Sequence, residues 1–182
     1  MMFRRVMLIA PPSSTFLGAV RPPSGLGYLA QALLENNIEY SIWDIRNGLH
    51  WNDLKAGLDH FQPDLIGVSL VSYEYKRSYE LIEHLKALRP HTRIIVGGPH
   101  TFVLREAVLR DCPAIDAAVI GDGEQALVQL CQGETAWGEI PGLVYRQEDQ
   151  ILSGPPPNLV KDLDSLSFPR YVGFALDQYA RE

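Results

Sequence analysis

The chain has 182 residues, of which 46% are hydrophobic and 21% charged, and its formal net charge at pH 7 is −6. A chain of this length can form one globular domain with a substantial core and an appendage. The negative charge argues against a nucleic-acid surface, which usually carries clustered Lys and Arg, and no apolar run approaches the ~20 residues that span a bilayer. We therefore expect a cytoplasmic protein that binds neither nucleic acid nor membranes.

Five short apolar runs, each bounded by Gly, Pro, Asp or Ser, alternate with segments that have a helical spacing of apolar residues. Short apolar runs of this kind are typical of strands buried on both faces of a parallel sheet. The predicted strands are Val6–Ala10, Tyr40–Trp43, Leu65–Ser69, Ile94–Val96 and Ala117–Ile120. The predicted helices include Leu26–Leu34, Trp51–Phe61, Leu81–Leu88, Leu104–Arg110 and Glu124–Gln132.

This alternation of strands and helices indicates right-handed βαβ crossovers and therefore a doubly wound α/β sheet. We predict a flavodoxin-like (Rossmann-like) fold with a five-stranded parallel sheet in the order 2-1-3-4-5. In such a sheet, ligands bind beyond the carboxyl ends of the strands, near the switch point between the first and third strands.

The pattern changes in the last third of the chain. Ile140–Arg146 and Gln150–Leu152 flank a polar turn at Gln147–Asp149 and are predicted to form a β-hairpin. Pro155–Pro157 then favours an extended segment, and residues 160–182 have no clear period, which is typical of a linker. We therefore divide the chain into a domain at residues 1–136, a hairpin and linker at residues 137–169, and a tail at residues 170–182.

The segments that follow the first, third, fourth and fifth predicted strands are small, rich in hydroxyls and glycine, and free of Lys and Arg. A polyphosphate generally requires a cation or close glycines at a helix N-terminus, and the chain has no GxxxxGK[ST] loop. These segments therefore favour a large, flat, mostly uncharged ligand that bonds to backbone amides and hydroxyls. The candidate binding residues are Pro12, Ser13, Ser14 and Thr15; Ser69, Leu70, Val71, Ser72 and Tyr73; Gly97, Gly98, Pro99 and His100; and Gly121, Asp122, Gly123 and Glu124.

Two further hypotheses stay open beside a site for a large, flat, uncharged ligand. The first is an NAD- or FAD-binding domain, because Gly25, Gly27 and Ala30 fit the G-x-G-x-x-A fingerprint and Asp44 follows the next strand. The fingerprint requires its first glycine directly after the first strand, whereas Pro11–Ser24 intervenes here, and the glycines alternatively let the first helix start close to the sheet. The second is a ligand-free interaction domain. This hypothesis predicts that the carboxyl edge of the sheet is shallow and well filled rather than a cleft.

Six segments carry a family resemblance and follow one order along the chain. They are P-S-G-L-G-Y-L-A from Pro23, P-D-L-I-G-V-S from Pro63, V-G-G-P-H from Val96, G-D-G-E from Gly121, I-P-G-L-V-Y-R from Ile140 and D-L-D-S-L-S-F-P from Asp162. They resemble the corresponding segments of the N-terminal cobalamin (vitamin B12)-binding domains of B12-dependent radical-SAM proteins. Asp122 replaces the usual Glu of that family, and Ser167 replaces a Pro; the match runs from about Leu8 to Pro169.

The resemblance implies that cobalamin binds at the carboxyl ends of the strands. Its nucleotide tail would lie in the crevice near the first strand, where Gly97 and Gly98 admit it and Gly121–Glu124 bind its far end. Its corrin ring would lie over the loops after the third and fourth strands, with Ser69–Ser72 beneath it. The first loop contains no His, so the resemblance implies that cobalt has no histidine ligand from this loop. We expect His100 to form hydrogen bonds or a turn, and no residue of the chain to bind a metal.

The family's C-x-x-x-C-x-x-C cluster motif does not occur in this chain. The two cysteines, Cys112 and Cys131, cannot complete a four-thiolate site, and we expect both to be buried structural thiols. A [4Fe–4S] cluster, S-adenosylmethionine and a radical-SAM barrel are therefore expected only in a part of the protein that follows this chain. The chain is then either a stand-alone B12 carrier or the excised cobalamin-binding domain of a larger radical-SAM enzyme, and we favour the excised domain. The reaction that the resemblance implies is methyl transfer or radical chemistry, with a methyltransferase as the expected parent enzyme.

Overall fold

The computed structural model describes residues 2–12, 21–158, 160–162, 164 and 166–179. The strands within these residues are β1 (Arg5–Ala10), β2 (Glu39–Asp44), β3 (Leu65–Ser69), β4 (Arg93–Gly97), β5 (Ala117–Val119), β6 (Leu143–Gln147) and β7 (Gln150–Ser153). The helices are α1 (Ser24–Glu35), α2 (Trp51–Phe61), α3 (Tyr75–Leu88), α4 (Pro99–Leu104), α5 (Ala107–Asp111), α6 (Glu124–Gln132) and α7 (Leu176–Tyr179). None of the helices in the described ranges has the length and apolarity to cross a membrane.

The strands form one sheet in the order β2-β1-β3-β4-β5-β6-β7. Strands β1 to β5 are parallel, so the predicted α/β fold and the order 2-1-3-4-5 are confirmed, each strand lying within one residue of its predicted bounds. The predicted count of five strands is wrong, because the hairpin joins the sheet and makes it seven-stranded. Without the hairpin, β5 would be an edge strand with unpaired backbone groups. Strand β6 pairs with this edge antiparallel, with Ala117 opposite Tyr145 and Val119 opposite Leu143.

The helices agree with the periodicity with two differences: α3 begins at Tyr75, six residues before its predicted start, and the segment between β4 and β5 is divided. Here a single helix over Leu104–Arg110 is replaced by the two short helices α4 and α5. Arg105 separates them with a φ of 52°, and a residue with positive φ cannot continue a right-handed helix.

Alternate residues of each strand point to opposite faces of the sheet. In β1, Val6 and Leu8 pack with α1 and α6, whereas Met7 and Ile9 pack with α2, α3 and α5. Both faces are therefore buried, which explains the continuous apolar runs in the sequence. Each fully buried Leu or Ile contributes about 1.5–3 kcal/mol to the free energy of unfolding.

The C-terminal residues pack back onto α1 and β2. The Arg170 N–H donates to the Gly27 carbonyl at 2.9 Å, and the Tyr179 hydroxyl donates to Asp44 Oδ2 at 2.7 Å. Phe174 is buried in the core on the α1 side of the sheet. This packing does not follow from the aperiodic sequence, which is typical of a linker. The predicted boundaries after residues 136 and 169 stay predictions.

Cys112 and Cys131 are free thiols and buried, as predicted. Burial raises the pKa of the Cys112 thiol to about 11 and that of the Cys131 thiol to about 12. Because the thiolate is the reactive form of cysteine, both side chains are unreactive core residues near neutral pH.

Candidate functional site

A cavity of about 260 Å³ lies between the sheet and helices α1 and α6, at the carboxyl ends of the strands. It is lined by Leu8, Gly25, Leu26, Leu29, Gly67, Val68, Ser69, Ile95, Val96, Gly97, Gly98, Val119, Gly121, Asp122, Gly123, Glu124 and Leu127. This is the edge at which doubly wound sheets bind their ligands. A larger groove of about 400 Å³ lies between α1 and α6; it shares Glu124 with the cavity, and five of its twelve lining residues are Asn or Gln.

The cavity exists because small residues occupy positions where a buried strand normally carries a large side chain. Leu8, Gly67 and Ile95 form one row across β1, β3 and β4, and Ser69 and Gly97 form the next row toward the edge. A Cβ atom added at Gly97 would meet no atom within 4 Å, so this glycine borders open space. The missing side chains leave a cradle between the sheet and the helices that cover it.

The lining consists mostly of aliphatic side chains and glycines, and it includes no Lys or Arg among the described residues. Its side chains with hydrogen-bonding groups are Ser69, Asp122 and Glu124. Burial raises the pKa of the Glu124 carboxyl, because burial penalises its charged form. In the described part of the chain, no group of three or more His, Cys, Asp or Glu side chains is placed to hold a metal ion. The cavity therefore suits an uncharged, mostly apolar group.

The structure brings part of the predicted binding set together in this cavity. The members that line it are Ser69, Gly97, Gly98, Gly121, Asp122, Gly123 and Glu124. The members placed outside the lining are Pro12, Leu70, Val71, Ser72, Tyr73, Pro99 and His100. Ser13, Ser14 and Thr15 lie outside the described residues. Leu70 is fully buried in the core on the opposite face of the sheet, with α3.

His100 lies in an aromatic cluster on the α3 side and is only 3% exposed. The Tyr79 hydroxyl lies 3.0 Å from its Nε2 and the Ser72 hydroxyl 3.2 Å from its Nδ1. The Tyr75 ring stacks on the imidazole with 5.1 Å between the ring centroids. The backbone N–H of His100 donates to the Leu70 carbonyl. Both ring nitrogens are engaged within the protein, in keeping with the predicted hydrogen-bonding role rather than with cobalt ligation.

We expect the buried His100 to make the free energy of unfolding fall as the pH drops below about 6.5. Burial lowers the pKa of its imidazole, and the charge of Asp111 opposes this shift. The unfolded chain therefore takes up the proton at a higher pH than the folded chain, and protonation favours unfolding.

Urea denaturation at about pH 7.5 and about pH 5.5 tests this expectation. The His100→Gln variant should lose less stability between the two pH values than the wild type does, and the same exchange at the exposed His91 serves as the matched control. An equal loss in the wild type and in His100→Gln would contradict the expectation.

Gly98 holds the loop after β4 close to the loop after β3. Its φ of 98° and ψ of −176° are strained for any residue with a Cβ, and an added Cβ would lie 2.7 Å from the Leu70 carbonyl oxygen. The adjacent Gly97 has no such contact, and its carbonyl accepts a hydrogen bond from the Leu70 N–H at 2.7 Å. Gly97 therefore leaves room, whereas Gly98 permits the backbone conformation.

Sequence reasoning missed the aliphatic part of the lining, because these residues follow the same periodic pattern as core residues. They are Leu8, Leu26, Leu29, Val68, Ile95, Val96, Val119 and Leu127. One available signal was Gly67, since an isolated glycine inside an apolar strand often marks the close approach of a ligand or another backbone.

The dinucleotide hypothesis does not fit the geometry. A Cβ added at Gly27 would lie 3.0 Å from Pro169 Cβ, so the C-terminal segment covers this glycine. Asp44 is 5% exposed, and it accepts hydrogen bonds from Arg46 Nε at 2.8 Å and from the Tyr179 hydroxyl. Neither the pyrophosphate nor the ribose of a dinucleotide would find its expected contact free.

Comparison with known proteins gives one family: the model of the B12 binding domain matches residues 17–131. Among curated proteins, an uncharacterized methyltransferase of Pyrococcus horikoshii is 26% identical over an alignment 182 residues long, which covers 96% of this chain and 40% of that protein. The chain thus spans well under half the length of this relative.

Two solved structures share the fold. One is the cobalamin-dependent S-adenosylmethionine radical enzyme OxsB with aqua-cobalamin and S-adenosylmethionine bound. It superposes with a TM-score of 0.82 and 19% identity, and the alignment covers 97% of this chain and 25% of the OxsB chain. The other is the radical S-adenosylmethionine methyltransferase TsrM from Kitasatospora setae with tryptophan substrate and a SAM analog bound. It superposes with a TM-score of 0.69 and 24% identity, and the alignment covers 85% of this chain and 30% of the TsrM chain.

Proposed function

The chain belongs to the B12-binding domain family, and from this premise we propose that it binds cobalamin as the cofactor-binding part of a B12-dependent radical-SAM methyltransferase. The observation that carries the proposal is the cavity at the carboxyl edge of the sheet. Most of its described lining consists of glycines and aliphatic side chains, with no Lys or Arg among the described residues, and it lies where the fold places its ligand.

The residues present fit the nucleotide tail of cobalamin. Gly97 borders open space that a base can occupy, and the leucines of α1 and α6 form an apolar cover. Ser69, Asp122 and Glu124 supply hydrogen-bonding groups where the cavity reaches the strand ends. In this proposal the tail enters the cavity, and the loops after β3 and β4 support the rest of the cofactor.

Bound cobalamin supplies a cobalt centre that can carry a methyl group, while the protein supplies position and environment. The domain's own residues bind and orient the cofactor and exclude water from its tail. We propose that no imidazole of the first loop reaches the cobalt, because residues 11–18 include no His. The hydrogen bonds of His100 within its cluster support a positioning role for that residue instead.

We propose that the remaining parts of the enzyme lie in sequence outside this chain. A radical-SAM barrel with its [4Fe–4S] cluster and S-adenosylmethionine would lie there. Support comes from the shares of length, since this chain corresponds to 40% of the methyltransferase relative and to 25–30% of the two solved enzymes. The substrate of methyl transfer would be selected by that missing part, and the cytoplasmic location stays a prediction.

The ligand-free interaction domain is the weaker candidate function, because it predicts a well-filled edge. The structure instead has a cavity of about 260 Å³ at the strand ends, where doubly wound sheets bind their ligands.

Titration with hydroxocobalamin tests the proposal. We expect a shift in the absorbance spectrum of the cofactor that saturates at one equivalent, and a red protein that keeps its cobalt through gel filtration. Calorimetry with NAD, NADP and FAD should give no binding heat. A protein that stays colourless and free of cobalt after this treatment would refute the proposal.

A further inference from the structure

The innermost part of the cavity has no hydrogen-bonding side chain. Its floor is the row of Leu8, Gly67 and Ile95 across β1, β3 and β4, whose backbone groups pair within the sheet. Leu26 and Leu127 approach from the helices that cover the cavity. A polar atom at this depth would find no partner from the described residues.

The hydrogen-bonding side chains lie at the other end. Ser69 is the last residue of β3, and Asp122 and Glu124 follow β5, so all three lie at the carboxyl edge of the sheet. The Asp122 carboxylate is engaged there by the Val160 N–H at 3.1 Å. The cavity is therefore polar at its mouth and apolar at its floor.

Resting on the proposed function, we infer that this polarity gradient selects cobamides by the base of their nucleotide tail, accepting benzimidazoles and rejecting purines. Cobamides share the corrin ring and differ in this base. The six-membered ring of a benzimidazole has only carbon atoms and suits a floor made of Leu8, Gly67 and Ile95. The six-membered ring of adenine carries two ring nitrogens and an amino group, and burying them without partners is unfavourable.

Binding of three cobamides tests the inference: cobalamin, adeninylcobamide and cobinamide, which lacks the nucleotide tail. We expect cobalamin to bind about tenfold or more tightly than adeninylcobamide, because each unpaired buried polar group weakens binding. Cobinamide should bind more weakly than cobalamin because it leaves the cavity empty. Dissociation constants from absorbance titrations give the ranking directly.

The other outcomes separate the inference from the proposed function. Equal affinities for cobalamin and adeninylcobamide, both above cobinamide, would overturn the selection by base. Equal affinities for all three would mean that the tail does not use the cavity, and would also overturn it, with cobalamin binding intact. Binding of none of the three would refute the proposed function itself.

A matched pair of substitutions at Ile95 gives a second test. Ile95→Thr places a hydroxyl at the floor, whereas Ile95→Val has the same shape without the hydroxyl. We expect the preference for cobalamin over adeninylcobamide to narrow in Ile95→Thr and to persist in Ile95→Val. An identical preference in the two variants would count against selection by floor polarity. If Ile95→Thr does not fold, the ranking of the three cobamides in the wild type decides the question.

Discussion

Replacing Gly97 with valine is expected to weaken hydroxocobalamin binding while leaving the domain folded and slightly more stable. A side chain at this position enters open space, since an added Cβ meets no atom within 4 Å. Gly97 ends strand β4, where a β-branched residue is favoured. Loss of glycine also reduces the freedom of the unfolded chain, so the free energy of unfolding should rise by about 0.4–1 kcal/mol.

The same methyl groups occupy the space that the proposal assigns to the nucleotide tail. Forcing extra groups into a packed site costs roughly 1–3 kcal/mol, which corresponds to roughly ten- to a hundredfold weaker binding. Hydroxocobalamin titration measures the affinity, and urea denaturation measures the stability. Gln150→Val, at an exposed residue of β7, controls for the added valine in a strand. Wild-type affinity in Gly97→Val would show that the tail binds elsewhere.

Replacing the next residue, Gly98, with alanine is expected to lower the free energy of unfolding by about 1–3 kcal/mol. Its φ of 98° is the cause, together with the approach of an added Cβ to 2.7 Å from the Leu70 carbonyl oxygen. That carbonyl also accepts the His100 N–H, so relief of the clash would disturb the contact between the loops after β3 and β4.

Urea denaturation of Gly98→Ala against Gly97→Ala measures this difference. The two variants change adjacent residues by the same single methyl group, so the unfolded chains are closely matched. Gly97→Ala should be as stable as the wild type or slightly more stable. Gly98→Ala with wild-type stability would mean that the backbone at this position tolerates a side chain, contrary to its positive φ.

These two glycines also show how far the motif V-G-G-P-H leads. The sequence pattern assigns Gly97 and Gly98 the same role, which is to admit a nucleotide tail. Both line the cavity, but one provides space and the other provides a backbone conformation. The difference depends on the position of Leu70, which lies 27 residues before Gly97 in the chain. No local sequence pattern encodes how closely Leu70 approaches each glycine in space.

The periodic apolar runs determined the five parallel strands, their order and the edge at which sheets of this kind bind ligands. Strands buried on both faces require such runs, and the crossover rule leaves few arrangements for them. The hairpin was predictable as a local structure from its turn. Its place beside β5 was not, because pairing with a free sheet edge depends on which edge the fold leaves exposed.

Only the tertiary structure decided which residues form the cavity and which lie behind it. His100 has the polar character of a ligand-binding residue in a glycine-rich loop, yet its side chain lies within the aromatic cluster on the α3 side. Leu8 and Ile95 have the character of core residues, yet they line the cavity with Gly67. The physical reason is that side-chain chemistry sets the tendency to be buried. Whether a buried position faces packed neighbours or an empty space depends on side chains contributed by distant strands and helices.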